Sequence, residues 1–169
     1  MGLLHLLVLR ALFPEARVVV CDRILERISL ALKLGAHAAA EPGDALDRVV
    51  HEATAGLGAD AVFDTVGGAK VLKSALTLTR EGGSVVLFAH ARESERADFD
   101  LNALFKHERR VLGTYSGTLR EQEEVHRLIV SRRLDASPLV THHLPLARFE
   151  EGVRLAREGR ALKVLYVPK

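Results

Sequence analysis

The stretch Arg17-Val18-Val19-Val20-Cys21-Asp22 decides the fold. Its β-branched run is typical of a buried strand, and the strand ends in an acid. The segment before it, residues 2–12, is apolar on nearly every side and predicts a buried helix. A helix followed by a buried strand with an acid at its tip forms the second half of a dinucleotide-binding βαβ unit. The complete unit begins with a strand and a G-x-G-x-x-G turn, and Gly2 stands where the last of those glycines belongs.

The rest of the chain alternates helical periodicity with short β-rich runs, which indicates a parallel sheet covered by helices on both faces. We therefore expect an α/β fold, a Rossmann-like doubly wound sheet that lacks its first, central strand. Without that strand, two rows of backbone groups have no partner, and we expect the gap to close by repacking or to be filled from another chain. The predicted domains are residues 1–138, a dinucleotide-binding domain, and residues 139–169, a C-terminal tail. Further strands are predicted at residues 37–40, 60–64, 84–89, 111–115, 139–144 and 163–167.

Composition excludes several functional classes. The 169 residues suit about one domain, and the net charge of +2 comes from acids and bases that are interleaved along the chain, so nucleic-acid binding is not expected. The lone Cys21 excludes an internal disulfide and a multi-cysteine zinc site, and its apolar strand predicts a buried thiol. The apolar N-terminus has no basic region before it, and no run reaches membrane-spanning length, so we expect a cytoplasmic protein.

Asp22 is the most informative candidate for a site. An acid just beyond a buried strand can accept hydrogen bonds from both hydroxyls of an adenosine ribose, and it would repel a 2′-phosphate. The alternative is a helix cap or a solvated loop acid. Arg23 and Arg27 lie along the adenosine or its phosphates in the first interpretation and are surface residues in the second. Asp64, at the exit of another strand, lies near the expected cofactor crevice.

The sequence shows no catalytic residue. His51-Glu52 begins like the zinc motif H-E-x-x-H, but Ala55 occupies the position of the second histidine. His142 and His143 are adjacent on an extended run, so their side chains point to opposite faces.

The order of the motifs resembles that of the medium-chain, zinc-type alcohol dehydrogenases, close to the polyol and threonine dehydrogenase branch. The resemblance covers the whole chain. The matching stretches are Gly2-Leu3-Leu4, Val18 to Arg23, Ala31 to Ala36, Gly58 to Gly67, Gly82 to Leu87, Gly113 to Gly117, Leu144-Pro145-Leu146, Phe149-Glu150-Glu151 and Gly159 to Val164.

This resemblance implies a cofactor and roles for individual residues. It implies NAD, with Gly2 as the third fingerprint glycine and Asp22 as the acid that selects NAD over NADP. Arg23 and Arg27 would contact the adenosine side of the cofactor. The remaining implied positions are Phe88, Ala89 and His90 at the nicotinamide, Thr114, Tyr115 and Ser116 beside the nicotinamide ribose, and Lys163 near the pyrophosphate.

The expected function depends on the features of this family that the sequence lacks. The family places its zinc ligands and substrate pocket in an N-terminal domain that has no counterpart in these residues, so zinc belongs to the family but not to this chain. We expect the cofactor-binding portion of an NAD(H)-dependent alcohol or polyol dehydrogenase, inactive alone and covered by a second copy or another chain. A non-catalytic nucleotide-binding or dimerisation module, or the product of a truncated reading frame, is the alternative.

Overall fold

A computed structural model describes residues 1–168. The chain divides into two compact units, Met1–Leu119 and Arg120–Lys169. The first unit alternates helices and strands in the predicted order. Its elements are α1 (Gly2–Leu12), β1 (Val19–Cys21), α2 (Leu25–Lys33), β2 (Ala38–Ala40), α3 (Asp44–Ala53), β3 (Ala59–Asp64), α4 (Ala69–Leu78), β4 (Thr79–Leu87), α5 (Asn102–Phe105) and β5 (Arg110–Gly113).

All strands of the first unit pair in parallel, which confirms the α/β class. β1 pairs with β2, and β3, β4 and β5 form a second sheet in that order. In the second sheet β4 is central, and it begins five residues before the strand that the sequence predicts at 84–89. The early start of β4 depends on Gly83. A Cβ at this position would overlap the side chain of Thr79 and would lie only 3.0 Å from the backbone oxygen of Asp60.

The two sheets are not joined by backbone hydrogen bonds. Within residues 1–168, β1 has only β2 as a neighbour, and the partner of β3 is β4 alone. Helix α1 contacts β1, and the ring of His5 on α1 lies 5.5 Å from that of Phe63 on β3. No strand pairing closes the gap among the described residues, and the expectation that repacking or another chain fills it stays a prediction. A helix next to a strand edge supplies side-chain contacts only, because its own backbone groups are already bonded within the helix.

Two apolar clusters hold the first unit together. Helix α4 places Leu72, Ala75 and Leu76 against Val85 of β4, whose side chain is 0% exposed. On α3, Leu46 and Val50 pack against Ala40 of β2. Burial of each large aliphatic side chain contributes about 1.5–3 kcal/mol, so these faces stabilise the strands that carry the site.

Two local predictions need correction. Helix α1 is not buried all round, since only Leu3 and Leu6 are buried and Phe13 at its end is 59% exposed. The helix has the sheet on one side only. Cys21 is exposed instead of buried, because β1 ends there and has a neighbour on one edge.

The second unit has its own small core. Helix α6 (Leu119–Val130) begins at the boundary and contains no buried residue. It is followed by β6 (Val140–Pro145), α7 (Phe149–Arg157) and β7 (Lys163–Val167), and the two strands pair in parallel. Leu144, Leu155 and Ala161 are buried together. Phe149 at the start of α7 is 54% exposed, and its ring lies 5.3 Å from that of Tyr166. The predicted boundary after residue 138 stays a prediction.

None of the helices among residues 1–168 combines the length and the apolar character that a membrane crossing requires.

Candidate functional site

The carboxyl ends of β3, β4 and β5 meet at one edge of their sheet. The carbonyl oxygen of Asp64 accepts hydrogen bonds from the backbone N–H groups of Phe88 at 3.0 Å and Ala89 at 3.1 Å. The backbone N–H of Thr114 donates to the carbonyl oxygen of Leu87 at 3.0 Å, and the Thr114 hydroxyl donates to the same oxygen at 3.2 Å. The structure therefore brings together the predicted residues from three separate strands. Ligands of open α/β sheets bind at this edge.

The carboxylate of Asp64 organises the turn after β3. Asp64 is only 4% exposed, and its Oδ1 atom accepts the N–H groups of Val66 at 2.9 Å and Gly67 at 2.7 Å. A buried carboxylate needs such donors, because leaving it without them costs several kcal/mol. Asp64 thus fixes the turn that leads into α4. Its direct contact with a cofactor remains a prediction.

Aromatic rings line the same edge of the sheet. The ring of His90 lies 5.6 Å from that of Tyr115 in an edge-to-face arrangement, and Tyr115 is 83% exposed. The ring of Phe88 lies 4.6 Å from that of His5. Ser116 follows with a positive φ of 62°, which is uncommon outside glycine and turns the loop after β5. The exposed aromatic surface can stack against a flat ring of a ligand.

Asp22 lies at the end of β1 and holds the start of α2. Its Oδ1 atom accepts the N–H of Ile24 at 3.0 Å, and its Oδ2 atom lies 3.7 Å from a guanidinium nitrogen of Arg27. The sequence left a helix cap open as the alternative, but the N-cap residue of α2 is Ile24 and no side chain caps this helix, so Asp22 instead closes the turn that precedes α2. The Asp22 side chain remains partly exposed, and Oδ2 makes only the one long ion pair, so this oxygen can still accept a hydrogen bond from a ligand.

Cys21 precedes this acid. Partial burial of the Cys21 sulfur raises the pKa of its thiol above the ordinary value of 9.0, and the negative charge of Asp22 raises the pKa further. Both effects disfavour the thiolate, which is the nucleophilic form. The structure therefore gives no sign of a reactive cysteine at this position.

Gly2 is the first residue of α1 and lies beside the end of β3. A Cβ at Gly2 would lie 3.5 Å from the hydroxyl oxygen of Thr65, which is ordinary contact. The structure shows close approach but no strict need for glycine here. Thr65 was not singled out from the sequence, since nothing in its local pattern distinguishes it from other residues that follow a strand.

A cavity of about 730 Å³ lies beside Arg23 and the start of α4. Three of its charged residues, Lys70, Arg92 and Glu95, were missed in the sequence, where 92–98 is only a charged loop. The Glu95 carboxylate accepts the N–H of Ala69 at 2.7 Å, a contact across 26 residues of sequence that no local pattern reveals. These hydrogen bonds, from Ala69 and Arg92, lower the pKa of Glu95 below its ordinary value of 4.5.

Lys163 belongs to the second unit. It is exposed, begins β7 and pairs with Val140 of β6. Its predicted position near a pyrophosphate remains a prediction.

The His, Cys, Asp and Glu side chains of the described residues do not form a zinc site. Among residues 1–168, no group of three His, Cys, Asp or Glu side chains is placed to hold a metal ion. The adjacent His142 and His143 belong to β6, where side chains alternate between the two faces.

Comparison with known proteins identifies the family. Residues 1–131 match the model of the zinc-binding dehydrogenase family. The chain belongs to this family. That match includes every element of the first unit and so covers all predicted cofactor-site residues except Lys163.

Several proteins similar to this chain are about twice as long. L-threonine 3-dehydrogenase of Bacillus subtilis is 28% identical over 162 residues, which are 90% of this chain and 44% of that protein. The alcohol dehydrogenase of Thermus sp. ATN1 superposes with a TM-score of 0.88 at 29% identity, over 97% of this chain and 47% of its own. An alcohol dehydrogenase of Escherichia coli CFT073, complexed with NADH, superposes with a TM-score of 0.85 at 22% identity, over 96% and 48%, and shows the fold alone. The chain spans less than half of the length of these relatives.

Proposed function

We propose that the chain is the cofactor-binding portion of an NAD(H)-dependent alcohol or polyol dehydrogenase. The observation that carries this proposal is the convergence of Asp64, Phe88 and Thr114 at the carboxyl edge of one sheet, in a chain whose first 131 residues match the family. The named threonine and alcohol dehydrogenases support the same reaction class.

Each part of the dinucleotide has candidate contacts. Asp22 accepts hydrogen bonds from the adenosine ribose through its partly exposed oxygen, and Arg23 and Arg27 lie on the adenosine side. The first turn of α1, from Gly2, provides backbone N–H groups near the pyrophosphate, as helix starts do for phosphates. The nicotinamide half lies against the edge formed by Phe88, Ala89, His90, Thr114, Tyr115 and Ser116, while Lys163 lies near the pyrophosphate.

The chemistry of the family divides between cofactor and metal. NAD accepts a hydride from the alcohol carbon, and the protein around it supplies binding and orientation. The described residues contain no zinc-ligand set, so no metal-dependent step is assigned to them. We therefore propose that the 169-residue chain binds NAD(H) and, alone, oxidises alcohols at a negligible rate.

Calorimetric titration tests the proposal. We expect the wild-type chain to bind NAD more tightly than NADP, because Asp22 repels a 2′-phosphate. Asp22→Asn keeps an oxygen for the N–H of Ile24 but removes the charge, so this preference should shrink by about tenfold. Asp44→Asn, an exposed acid on α3, is the matched control. Absence of NAD binding to folded wild-type protein, or zinc-dependent alcohol oxidation at an ordinary dehydrogenase rate, would contradict the proposal.

We also propose that a second copy of the chain covers part of its surface. The unpaired edges of β1 and β3 and the exposed helix α6 support association. Light scattering after size exclusion would give the mass, and a monomer at all concentrations would refute this part.

A further inference from the structure

His5 interrupts an otherwise apolar stretch of α1. Every other residue from Leu3 to Leu9 is aliphatic. A leucine at position 5 would fill a similar volume, and it would have no ring nitrogens that need hydrogen-bond partners or water. The packing of α1 alone therefore does not account for an imidazole at this position.

The ring of His5 contacts two aromatic rings at the carboxyl end of the second sheet. Its centroid lies 5.5 Å from that of Phe63, with the two planes tilted by 45°, and 4.6 Å from that of Phe88 in an edge-to-face arrangement. Phe63 belongs to β3, and Phe88 directly follows β4, where its backbone N–H donates to the carbonyl oxygen of Asp64. One side chain of α1 thus contacts residues from two neighbouring strands.

A hydrogen bond to the start of α1 restrains the His5 ring further. The Nδ1 atom of His5 lies 3.3 Å from the carbonyl oxygen of Met1, and because a carbonyl can only accept, Nδ1 carries the hydrogen of this bond. The ring is therefore held by one hydrogen bond and two aromatic contacts. A side chain restrained in this way can limit the motion of the rings beside it.

The ring of Phe88 is open to solvent on the side that His5 does not cover. Phe88 is 40% exposed, at the edge where we place the nicotinamide half of the cofactor. A mobile side chain loses rotational freedom when a ligand packs against it, and this loss weakens binding. A ring that is already held in place loses less freedom, so the ligand binds more tightly.

We propose that His5 is a positioning residue for the cofactor, because its ring holds Phe88 in the orientation that receives the nicotinamide ring. This inference rests on the proposed function. It assigns His5 neither a contact with the dinucleotide nor a proton transfer. The consequence is selective: binding of the nicotinamide ring depends on His5, whereas binding of the adenosine half, which we place at Asp22 beyond β1, does not.

Calorimetric titration with NADH and with ADP-ribose, which lacks the nicotinamide ring, tests the inference. We expect His5→Ala to weaken NADH binding by about fivefold, as the loss of an aromatic pair would, and to leave ADP-ribose binding unchanged. His5→Phe keeps an aromatic ring and should restore most of the NADH affinity. Leu12→Ala, at the exposed end of the same helix, is the matched control and should change neither affinity. Circular dichroism confirms that each variant is folded.

The fluorescence of bound NADH gives a second readout that does not depend on affinity. At saturating NADH, acrylamide should quench the emission more strongly in His5→Ala than in the wild type, because a mobile Phe88 ring shields the reduced nicotinamide less. His5→Phe and Leu12→Ala should match the wild type in this measurement.

The two ligands separate this inference from the proposed function. Equal weakening of NADH and ADP-ribose by His5→Ala would show a structural role only and would overturn the inference. Full NADH affinity in His5→Ala, or a loss in His5→Phe as large as that in His5→Ala, would overturn it as well. In each of these cases NADH binding to the wild type still supports the proposed function. If the folded wild type binds neither ligand, the proposed function fails, and the role of His5 fails with it.

Discussion

Gly67 lies directly against the carbonyl group of His90. A Cβ at Gly67 would overlap the His90 oxygen, and Gly67 has a φ of +85°, which L side chains rarely adopt. The exits of β3 and β4 therefore approach each other at a point that only glycine permits. This contact holds together the edge where the predicted nicotinamide residues lie.

Gly67→Ala should destabilise the chain strongly. The overlap and the left-handed backbone together should lower the free energy of unfolding by about 2–4 kcal/mol. Gly43→Ala is the matched control, since Gly43 has a φ of +109° but no atom within 4 Å of its Cβ position. Urea denaturation of both variants measures the difference, and equal losses would show that the contact with His90 contributes nothing.

Asp22 should contribute to stability separately from any ligand. Asp22→Ala removes the acceptor for the N–H of Ile24, the residue that precedes α2, and should cost about 1 kcal/mol, as the loss of one hydrogen bond does. Asp22→Asn keeps the acceptor and should lose much less. Thermal unfolding without added cofactor measures both, and similar losses in the two variants would contradict a stabilising role for this hydrogen bond.

Gly152 in α7 has a comparable constraint in the second unit. A Cβ there would overlap the hydroxyl of Tyr166 and lie 3.0 Å from a methyl group of Val164. Gly152→Ala should therefore lower the free energy of unfolding by about 1–3 kcal/mol.

Tyr166→Phe provides the control for this pair. The hydroxyl of Tyr166 donates to the carbonyl oxygen of Phe149 at 2.9 Å, so its loss alone should cost about 1 kcal/mol. In the double variant Gly152→Ala with Tyr166→Phe, part of the overlap disappears. Chemical denaturation should then show a loss smaller than the sum of the two, and strict additivity would exclude the proposed overlap.

Glu95 should make stability depend on acid pH. Its native pKa lies below the ordinary value of 4.5, because the N–H groups of Ala69 and Arg92 bind the ionised form. The ionised carboxylate therefore stabilises the fold fully above pH 4.5, and this contribution is lost as the pH falls through the native pKa.

Comparison of the wild type with Glu95→Gln across this range measures the effect. The wild type should be more stable at neutral pH, and the difference should vanish in acid. Glu93→Gln, an exposed acid of the same loop, is the control. A difference that stays constant with pH would show that the Glu95 carboxylate has no such role.

The sequence predicts the elements of the fold better than it predicts their burial. The run from Val18 to Cys21, its acid and the later strands are visible because strand pattern and turn residues are local signals. The exposure of Cys21 could not be predicted from the sequence, because it depends on which strands pair with one another in the sheet. That is a property of the complete sheet.

The candidate site divides in the same way. Asp22, Phe88 and Thr114 follow strands, and parallel strands end at one edge, so their proximity could be predicted. Lys70, Arg92 and Glu95 could not, since the loop after β4 carries no periodic pattern and returns to α4 through a contact across 26 residues. The sequence could not separate a local role of Asp22 from ribose binding, because the same carboxylate can accept a backbone N–H through one oxygen and a ligand hydroxyl through the other.

The first unit contains two separate sheets, and the proposed cofactor site includes residues that follow both of them. Asp22 follows the β1–β2 sheet, whereas Phe88 and Thr114 follow the β3–β4–β5 sheet. A dinucleotide that reaches both would bridge two sheets between which the described residues form no backbone hydrogen bond. If NAD binds as proposed, ligand occupancy and folding are thermodynamically linked, and NAD would raise the melting temperature of both halves together.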